Sequence, residues 1–212
     1  MTGFTAADEL EHADMGVEAW WWWAWSADAS VGVFVGLELR GPRFDYWAGL
    51  VRDGAAYLYV AELDGTGRRA GLELKPAELW ADHQCDDPFR QWTVANETYG
   101  VLLDPPAEAW ALAYGERTPV AFDIEWVGTH EAVAEGRGYR QAGVADVVVE
   151  LAGGPLRFDG PAQRVHRWGE PFVPRDLAVP VAGLEAPYRR TDGRAVAQVL
   201  SRGGFLGRTV DR

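Results

Sequence analysis

The sequence predicts an all-β protein whose antiparallel strands form a barrel or a sandwich. Its 25 glycines and 12 prolines recur between short runs that are rich in valine, tryptophan, tyrosine, phenylalanine and leucine. Such an alternation is typical of strands separated by turns. No repeat of fixed length is visible in the sequence, which disfavours a propeller or a solenoid.

The first half of the chain contains eight predicted strands. Apolar runs bounded by turn residues place them at 18–26, 31–40, 44–51, 55–62, 71–75, 78–83, 90–98 and 100–103. Asp53-Gly54 is the strongest hairpin signal and Asp64-Gly65 is the second. A helix is predicted over 105–114, because Asp104 can cap it, Pro105 suits its first position and Gly115 ends it.

The second half repeats this pattern of strands and turns. Strands are predicted at 119–127, 138–142, 144–151, 156–158 and 162–168, with turns at Gly153-Gly154 and Asp159-Gly160. We therefore expect two stacked calycin-like or lipocalin-like halves, residues 15–104 and residues 118–212. Residues 105–117, which contain the predicted helix, would link them.

Charge and cysteine content narrow the range of partners. The net charge of -12 and the pI near 4.7 argue against nucleic acid or an anionic membrane surface, since both attract lysine and arginine. Cys85 is the single cysteine, so no intrachain disulfide is expected. The first residues are acidic, and no apolar stretch reaches the roughly 18 residues of a membrane span. We expect a cytoplasmic protein that binds neither nucleic acid nor membrane.

The most unusual feature is a run of tryptophans, residues 20–23, followed by Trp25. Because side chains alternate along a strand, Trp20 and Trp22 share one face, and the other three share the opposite face. Both faces must then be covered. The strand is either packed on both sides in a core, or it packs on a core and lines a ligand cavity with its other face.

Two titratable residues are candidates for acid-base chemistry. Glu18 has the same parity as Trp20, so contact with indole rings would raise the pKa of its carboxyl group and allow it to donate a proton. The alternative is a solvated carboxylate at the rim of the sheet. His166 shares a strand face with Arg164 and Trp168, and a nearby arginine favours the neutral imidazole that can accept a proton.

Other polar residues support weaker hypotheses. Tyr139 and Gln141 share a face and either bind a ligand oxygen or satisfy a neighbouring carbonyl. Asp123 and Glu125 form a carboxylate pair or simply face water. The pair His83 and Cys85 lacks zinc-ligand spacing.

No phosphate-binding loop and no nucleophile motif is present in the sequence. We therefore expect neither a metal nor any other cofactor.

Two stretches resemble a known family. Residues 18–23 followed by the predicted strand 31–40 resemble the opening of AttH-like domains, which has an acidic residue, paired tryptophans and a hairpin. Residues 139–143, then Gly160, then 166–169, are similar to the Tyr-Glu-x-x-Gly and His-x-Trp-Gly series of that family. Between these stretches, residues 78–97 look like a sub-group of actinobacterial proteins.

The chain thus resembles the AttH-like and carotenoid hydratase superfamily over most of residues 18–170. This resemblance implies two lipocalin-like domains with an apolar cavity at their junction, where members hydrate or cyclise polyenes. One difference is that Val165 stands where the family has an acidic residue before its histidine.

These observations favour a cofactor-independent enzyme that hydrates, isomerises or cyclises a terpenoid, polyene or polyketide-type molecule. The predicted catalytic residues are His166, Glu18 and Glu97. The predicted ligand-binding residues are Trp20, Trp22, Trp80, Trp92, Tyr139, Gln141 and Trp168. One alternative is a non-catalytic carrier or sensor of a hydrophobic ligand, and another is an interaction module whose tryptophans form a core and a homodimer interface.

Overall fold

The structure is a computed structural model that describes residues 3–12, 14–52, 55, 57–103 and 116–172. In this part of the chain almost every element is a strand, and a 3-10 turn at Ala6–Glu9 is the helical element. The strands are β1 Glu18–Trp25, β2 Val31–Arg40, β3 Arg43–Arg52, β4 Tyr57–Gly65, β5 Trp80–Asp87, β6 Gln91–Leu103, β7 Glu116–Gly128, β8 Val133–Ala134, β9 Gly138–Leu151 and β10 Leu156–Trp168.

The strands form one antiparallel sheet that closes into a ring. Its order is β10-β1-β2-β3-β4-β6-β7-β9, and β9 pairs in turn with β10. One edge of β6 serves two partners, because residues 91–97 pair with β5 and residues 101–103 pair with β4. The predicted all-β class is confirmed, and the closed ring is consistent with a calycin-like barrel.

Side chains alternate between the interior and the exterior of this ring. Trp20 and Trp22 belong to the interior cluster, to which each of the eight ring strands contributes. Trp21 and Trp23 belong to a second, outer cluster together with Trp47. The predicted division of the tryptophans between two faces is confirmed, and both faces of β1 are buried.

Two predicted turns are wrong. Asp159-Gly160 lies inside β10, where Gly160 pairs with Ala145 of β9. A side chain there would collide with the carbonyl oxygen of Trp25, so glycine serves close strand packing rather than a turn. Asp64 and Gly65 are the last two residues of β4 rather than a hairpin turn. The register between β3 and β4 shifts opposite them.

Other local predictions have mixed outcomes. The turn at Gly153-Gly154 is confirmed by a hydrogen bond from the amide of Gly154 to the carbonyl of Leu151. The predicted strand at 71–75 is wrong, since only Leu74 forms isolated bridges there. The turn at Asp53-Gly54 and the helix predicted at 105–114 lie outside the described residues.

The predicted halves are connected through the sheet. Strands β1 to β6 come from residues 15–104 and strands β7 to β10 come from residues 116–168, yet all ten belong to one sheet. The division into two domains stays a prediction. No helix in the described part of the chain is long and apolar enough to cross a membrane.

Candidate functional site

The candidate site lies inside the ring at the end where β1 and β9 begin and β10 finishes. The register places Trp20 of β1 opposite His166 of β10, and His166 opposite Tyr139 of β9. Arg164 lies opposite Gln141 in the same way. Because these residues alternate with outward-facing ones, their side chains converge in the interior.

The carboxyl group of Glu18 is the centre of the first hydrogen-bond network. His166 Nε2 lies 2.6 Å and His12 Nδ1 lies 2.7 Å from the same oxygen, Oε1. The backbone amide of His12 donates to the other oxygen at 2.7 Å. Glu18 is therefore not at a solvated rim: its side chain is 4% exposed and has three polar partners.

His166 is enclosed completely. Its ring stacks on Trp20 with centroids 4.5 Å apart and planes 20° apart, and its Nδ1 lies 3.3 Å from the hydroxyl of Tyr139. Burial lowers the pKa of His166, although the hydrogen bond with Glu18 acts in the opposite direction. The imidazole is therefore neutral at neutral pH and can accept a proton at Nδ1 while Nε2 donates to Glu18.

A second network surrounds Arg164. Its guanidinium donates to Glu9 and, at 2.7 Å, to Gln141. Glu9 also accepts hydrogen bonds from the indole of Trp92 at 3.0 Å and from the amide of Phe89 at 2.8 Å. The ion pair between Glu9 and Arg164 is the most deeply buried one described, with side chains 0% and 1% exposed.

Tyr139 joins the two networks. Its hydroxyl lies 3.3 Å from Arg164 Nη1 on one side and 3.3 Å from His166 Nδ1 on the other. Since Arg164 has only donors, the hydroxyl accepts from Arg164 and donates to the neutral His166. Burial raises the pKa of Tyr139, so the phenol holds its proton in the resting site.

The N-terminal segment, residues 3–12, closes this end of the ring. Phe4 packs on Tyr139 with ring centroids 5.0 Å apart, Glu9 reaches Arg164, and His12 stacks on Trp168 at 4.2 Å. Phe89 covers Tyr139 from another side at 5.3 Å. An open cleft of about 440 Å³ borders Phe4, Phe89 and Gln141 from outside.

Most of the predicted site residues meet at this end. They are Glu18, Trp20, Trp92, Tyr139, Gln141, His166 and Trp168. Trp22 lies deeper in the ring, between Trp92 and His83. The predicted pair Asp123 and Glu125 lies exposed on the outside of β7, which is the water-facing alternative.

Glu97 and Trp80 lie elsewhere. They pair across β5 and β6 and line a separate open cleft of about 590 Å³ with Tyr99. Across the paired strands, Glu97 of β6 lies level with Glu150 of β9. Glu150 is 11 positions from Tyr139, which corresponds to about 36 Å along the strand. The structure therefore does not bring Glu97 to His166 and Glu18.

Sequence reasoning missed Glu9 and His12. Both precede the first strand, in a segment whose acidic residues carried no sign of burial, and Glu9 is 155 positions from Arg164. The partner of His166 was also not apparent, because Val165 replaces the acidic neighbour that the resemblance implies. Glu18 on the adjacent strand supplies that carboxylate instead.

One group of described residues could hold a metal ion. The candidate ligand atoms of His12, Glu18 and His166 all lie within 4.8 Å of one another.

The fold and the site together define an antiparallel β ring with a buried acid-base network at one end. Comparison with family models, with curated proteins and with solved structures finds no match to this chain. Membership of the AttH-like superfamily stays a prediction.

Proposed function

We propose that the protein binds a hydrophobic small molecule at this end of the ring and converts it by acid-base chemistry. The observation that carries the proposal is the buried chain from Glu18 through His166 to Tyr139. Aromatic rings flank this chain, since His166 stacks on Trp20 and lies 5.1 Å from Trp168. A site with apolar walls and a few convergent polar groups is typical of small-molecule enzymes.

The hydrogen bonds suggest a division of roles. In this mechanism the phenol oxygen of Tyr139 takes a proton from an acidified carbon of the ligand while its own proton moves to Nδ1 of His166. Glu18 stabilises the imidazolium that forms. Arg164, 3.3 Å from the phenol oxygen, stabilises the negative charge that develops on this oxygen during the transfer. In the second step Tyr139 gives a proton to another carbon of the ligand while His166 returns its proton to the phenol oxygen. The net reaction is an isomerisation, and the proton count is unchanged.

Access to Tyr139 would require the N-terminal segment to move. Phe4 and Phe89 separate the phenol from the cleft of about 440 Å³ at the mouth of the ring. A ligand that displaced Phe4 would gain contact with the same apolar walls. Hydration and cyclisation of terpenoid, polyene or polyketide-type molecules fit the same acid-base groups, and we propose this substrate range. We also propose that the ring encloses its ligand as a lipocalin barrel does.

A carrier or sensor is the second candidate. It is favoured by the complete enclosure of His166, 0% exposed, and by the full hydrogen bonding of Glu18. A protein that only stores a ligand needs an enclosed site but no proton transfer.

The test combines detection of a ligand with detection of turnover. Native mass spectrometry of protein taken directly from cells identifies co-purifying molecules, and tryptophan fluorescence follows titration with a polyene acid, a terpenoid ketone and an aromatic polyketide. Products are analysed by mass spectrometry. We expect binding in the wild type and in Tyr139→Phe, but turnover only in the wild type.

The matched control is Tyr99→Phe, which removes the same hydroxyl from an exposed ring in the other cleft. His166→Ala and Glu18→Gln should also abolish turnover. Binding without turnover in the wild type would favour the carrier. Absence of any binding by the folded wild type would refute both candidates.

A further inference from the structure

We propose that His12, Glu18 and His166 form a binding site for one divalent transition-metal ion of the zinc class. Two imidazoles and a carboxylate are the ligands that such ions prefer. The three residues come from the N-terminal segment, β1 and β10, so they meet only in the folded chain. The inference goes beyond the proposed function and is testable without any substrate.

The geometry requires little rearrangement. The two histidine nitrogens lie 2.7 Å and 2.6 Å from Oε1 of Glu18, and all candidate atoms lie within 4.8 Å of one another. Ligand atoms of a tetrahedral zinc ion are about 3.3 Å apart, as bond lengths of about 2.0 to 2.2 Å dictate. A shift of less than about 1 Å per side chain would convert the shared hydrogen bonds into metal bonds.

Each imidazole is oriented as a metal ligand usually is. His12 directs Nδ1 to Glu18, and its Nε2 lies 3.7 Å from a carboxylate oxygen of Asp8. His166 directs Nε2 to Glu18, and its Nδ1 faces the hydroxyl of Tyr139. Metal-binding histidines commonly hold a polar partner on the nitrogen that faces away from the metal, and this fixes the ring. The hydroxyl of Tyr139 can accept a hydrogen bond from Nδ1 of His166 when Nε2 binds the ion.

Packing holds both rings in place. His12 stacks on Trp168 with planes 23° apart, and His166 stacks on Trp20 with planes 20° apart. Preoriented ligands lose little conformational freedom when a metal binds. The apolar walls also lower the local polarity around the ion, which strengthens its attraction for the carboxylate.

There is room for a fourth ligand. A cavity of about 40 Å³ borders His12, Glu18 and Leu39. This volume suits one water molecule, and three protein ligands with an open fourth position are characteristic of catalytic rather than structural zinc sites. The side chain of His12 is 20% exposed, so an ion can reach the group from that side.

Metal binding would change the roles of the proposed acid-base groups. When the ion binds Nε2 of His166 and Nδ1 of His12, the proton on each of these nitrogens moves to the other nitrogen of the same ring or is released to solvent. Glu18 and His166 would then no longer pass protons in the metal-bound form. Nδ1 of His166 would then carry the proton and donate it to the hydroxyl of Tyr139, the reverse of the metal-free hydrogen bond. We therefore expect zinc to suppress an isomerisation that depends on the metal-free chain of hydrogen bonds.

The experiment measures metal binding directly. The full chain is stripped with a chelator and titrated with Zn²⁺ by calorimetry and with Co²⁺ by visible absorption. We expect one equivalent to bind, with the intense absorption bands of four-coordinate cobalt. His12→Ala should weaken binding at least 10-fold, in line with the loss of one of three ligands.

Two variants keep the outcome interpretable. His12→Phe preserves an aromatic ring against Trp168 but removes the nitrogen ligand, so it should fold and still lose the metal. His130→Ala removes an exposed histidine at the cleft of about 440 Å³ and should bind the metal like the wild type.

Equal affinity in the wild type and in folded His12→Phe would overturn the metal site. If the protein binds the metal but no apolar ligand, the proposed function alone is refuted. If it binds and converts an apolar ligand but binds no metal, the metal site alone is refuted.

Discussion

Glu9 and Arg164 form an ion pair that joins the N-terminal segment to the interior of the ring, although the two residues are 155 positions apart. Neither side chain is more than 1% exposed. The hydrogen bonds of both groups are shared with Trp92, Gln141 and Tyr139. Charges buried in this manner are tolerated only as long as each has its partner.

We predict that Glu9→Ala lowers the free energy of unfolding by about 3 to 5 kcal/mol, because it leaves the guanidinium of Arg164 buried without a counter-charge. Urea unfolding followed by tryptophan fluorescence measures this loss. The double variant Glu9→Leu/Arg164→Met removes both charges and should be more stable than Glu9→Ala. If the double variant instead loses the sum of the two single losses, the pair is not energetically coupled.

The sequence predicted strands and faces better than the site. Alternation within β1 is local, so it placed Trp20 and Trp22 on one face correctly. Local turn chemistry failed at Asp159-Gly160 because pairing with β9 along the whole of β10 outweighs it. Alternation also tells which face Glu97 occupies but not which end of the ring it reaches. The burial and the ion pair of Glu9 could not be predicted, because its partners lie in strands that are distant in the sequence.

His83 should make the fold less stable in acid. Neither of its ring nitrogens has a hydrogen-bond partner in the described structure, and burial lowers its pKa from 6.5 to about 4. Between these two values the unfolded chain binds the proton and the folded one does not. The contribution of His83 to stability is thus complete above pH 6.5, and it falls by about 3 kcal/mol as the pH falls to 4.

Unfolding of the wild type and of His83→Leu in urea at a series of pH values measures this effect. Leucine has no titrating group and no unpaired polar atom, so the variant should lose less stability over the same interval. Parallel pH profiles for the two proteins would show that His83 does not titrate as its burial requires.

Arg40 should stabilise two buried carboxylates on the outer face of β2 and β3. Its Nη1 lies 2.7 Å from Glu38 and 2.6 Å from Asp45, whose side chains are 3% and 2% exposed. We predict that Arg40→Gln costs about 2 to 4 kcal/mol at pH 7. The cost should shrink towards pH 5, because burial raises the pKa of Glu38 and the unpaired carboxylate then takes up a proton on folding.

Chemical denaturation at pH 7 and pH 5 tests the prediction on Arg40. Arg43→Gln is the matched control, since its ion pair with Asp64 has side chains 50% and 66% exposed and should contribute less than about 1 kcal/mol. An equal loss in the two variants at pH 7 would mean that burial of the carboxylates does not set the cost.

Gly36 should tolerate no side chain. It lies beside Trp21 in the register of β1 and β2, and a Cβ atom there would be 2.6 Å from the indole ring. That ring is 0% exposed and stacks on Trp47 at 5.1 Å, so it has no space to withdraw. Gly36→Ala should therefore lower the free energy of unfolding by about 1 to 3 kcal/mol through overpacking.

Gly153→Ala is the control for this prediction, because a Cβ atom at that turn meets nothing within 4 Å. Thermal unfolding of both variants beside the wild type measures the difference. A melting temperature of Gly36→Ala equal to that of Gly153→Ala would contradict the packing of Trp21 against β2. Since Trp21 and Trp22 are neighbours on opposite faces of β1, a shift of the outer indole would also disturb the interior of the ring, and fluorescence of the folded variant should report it.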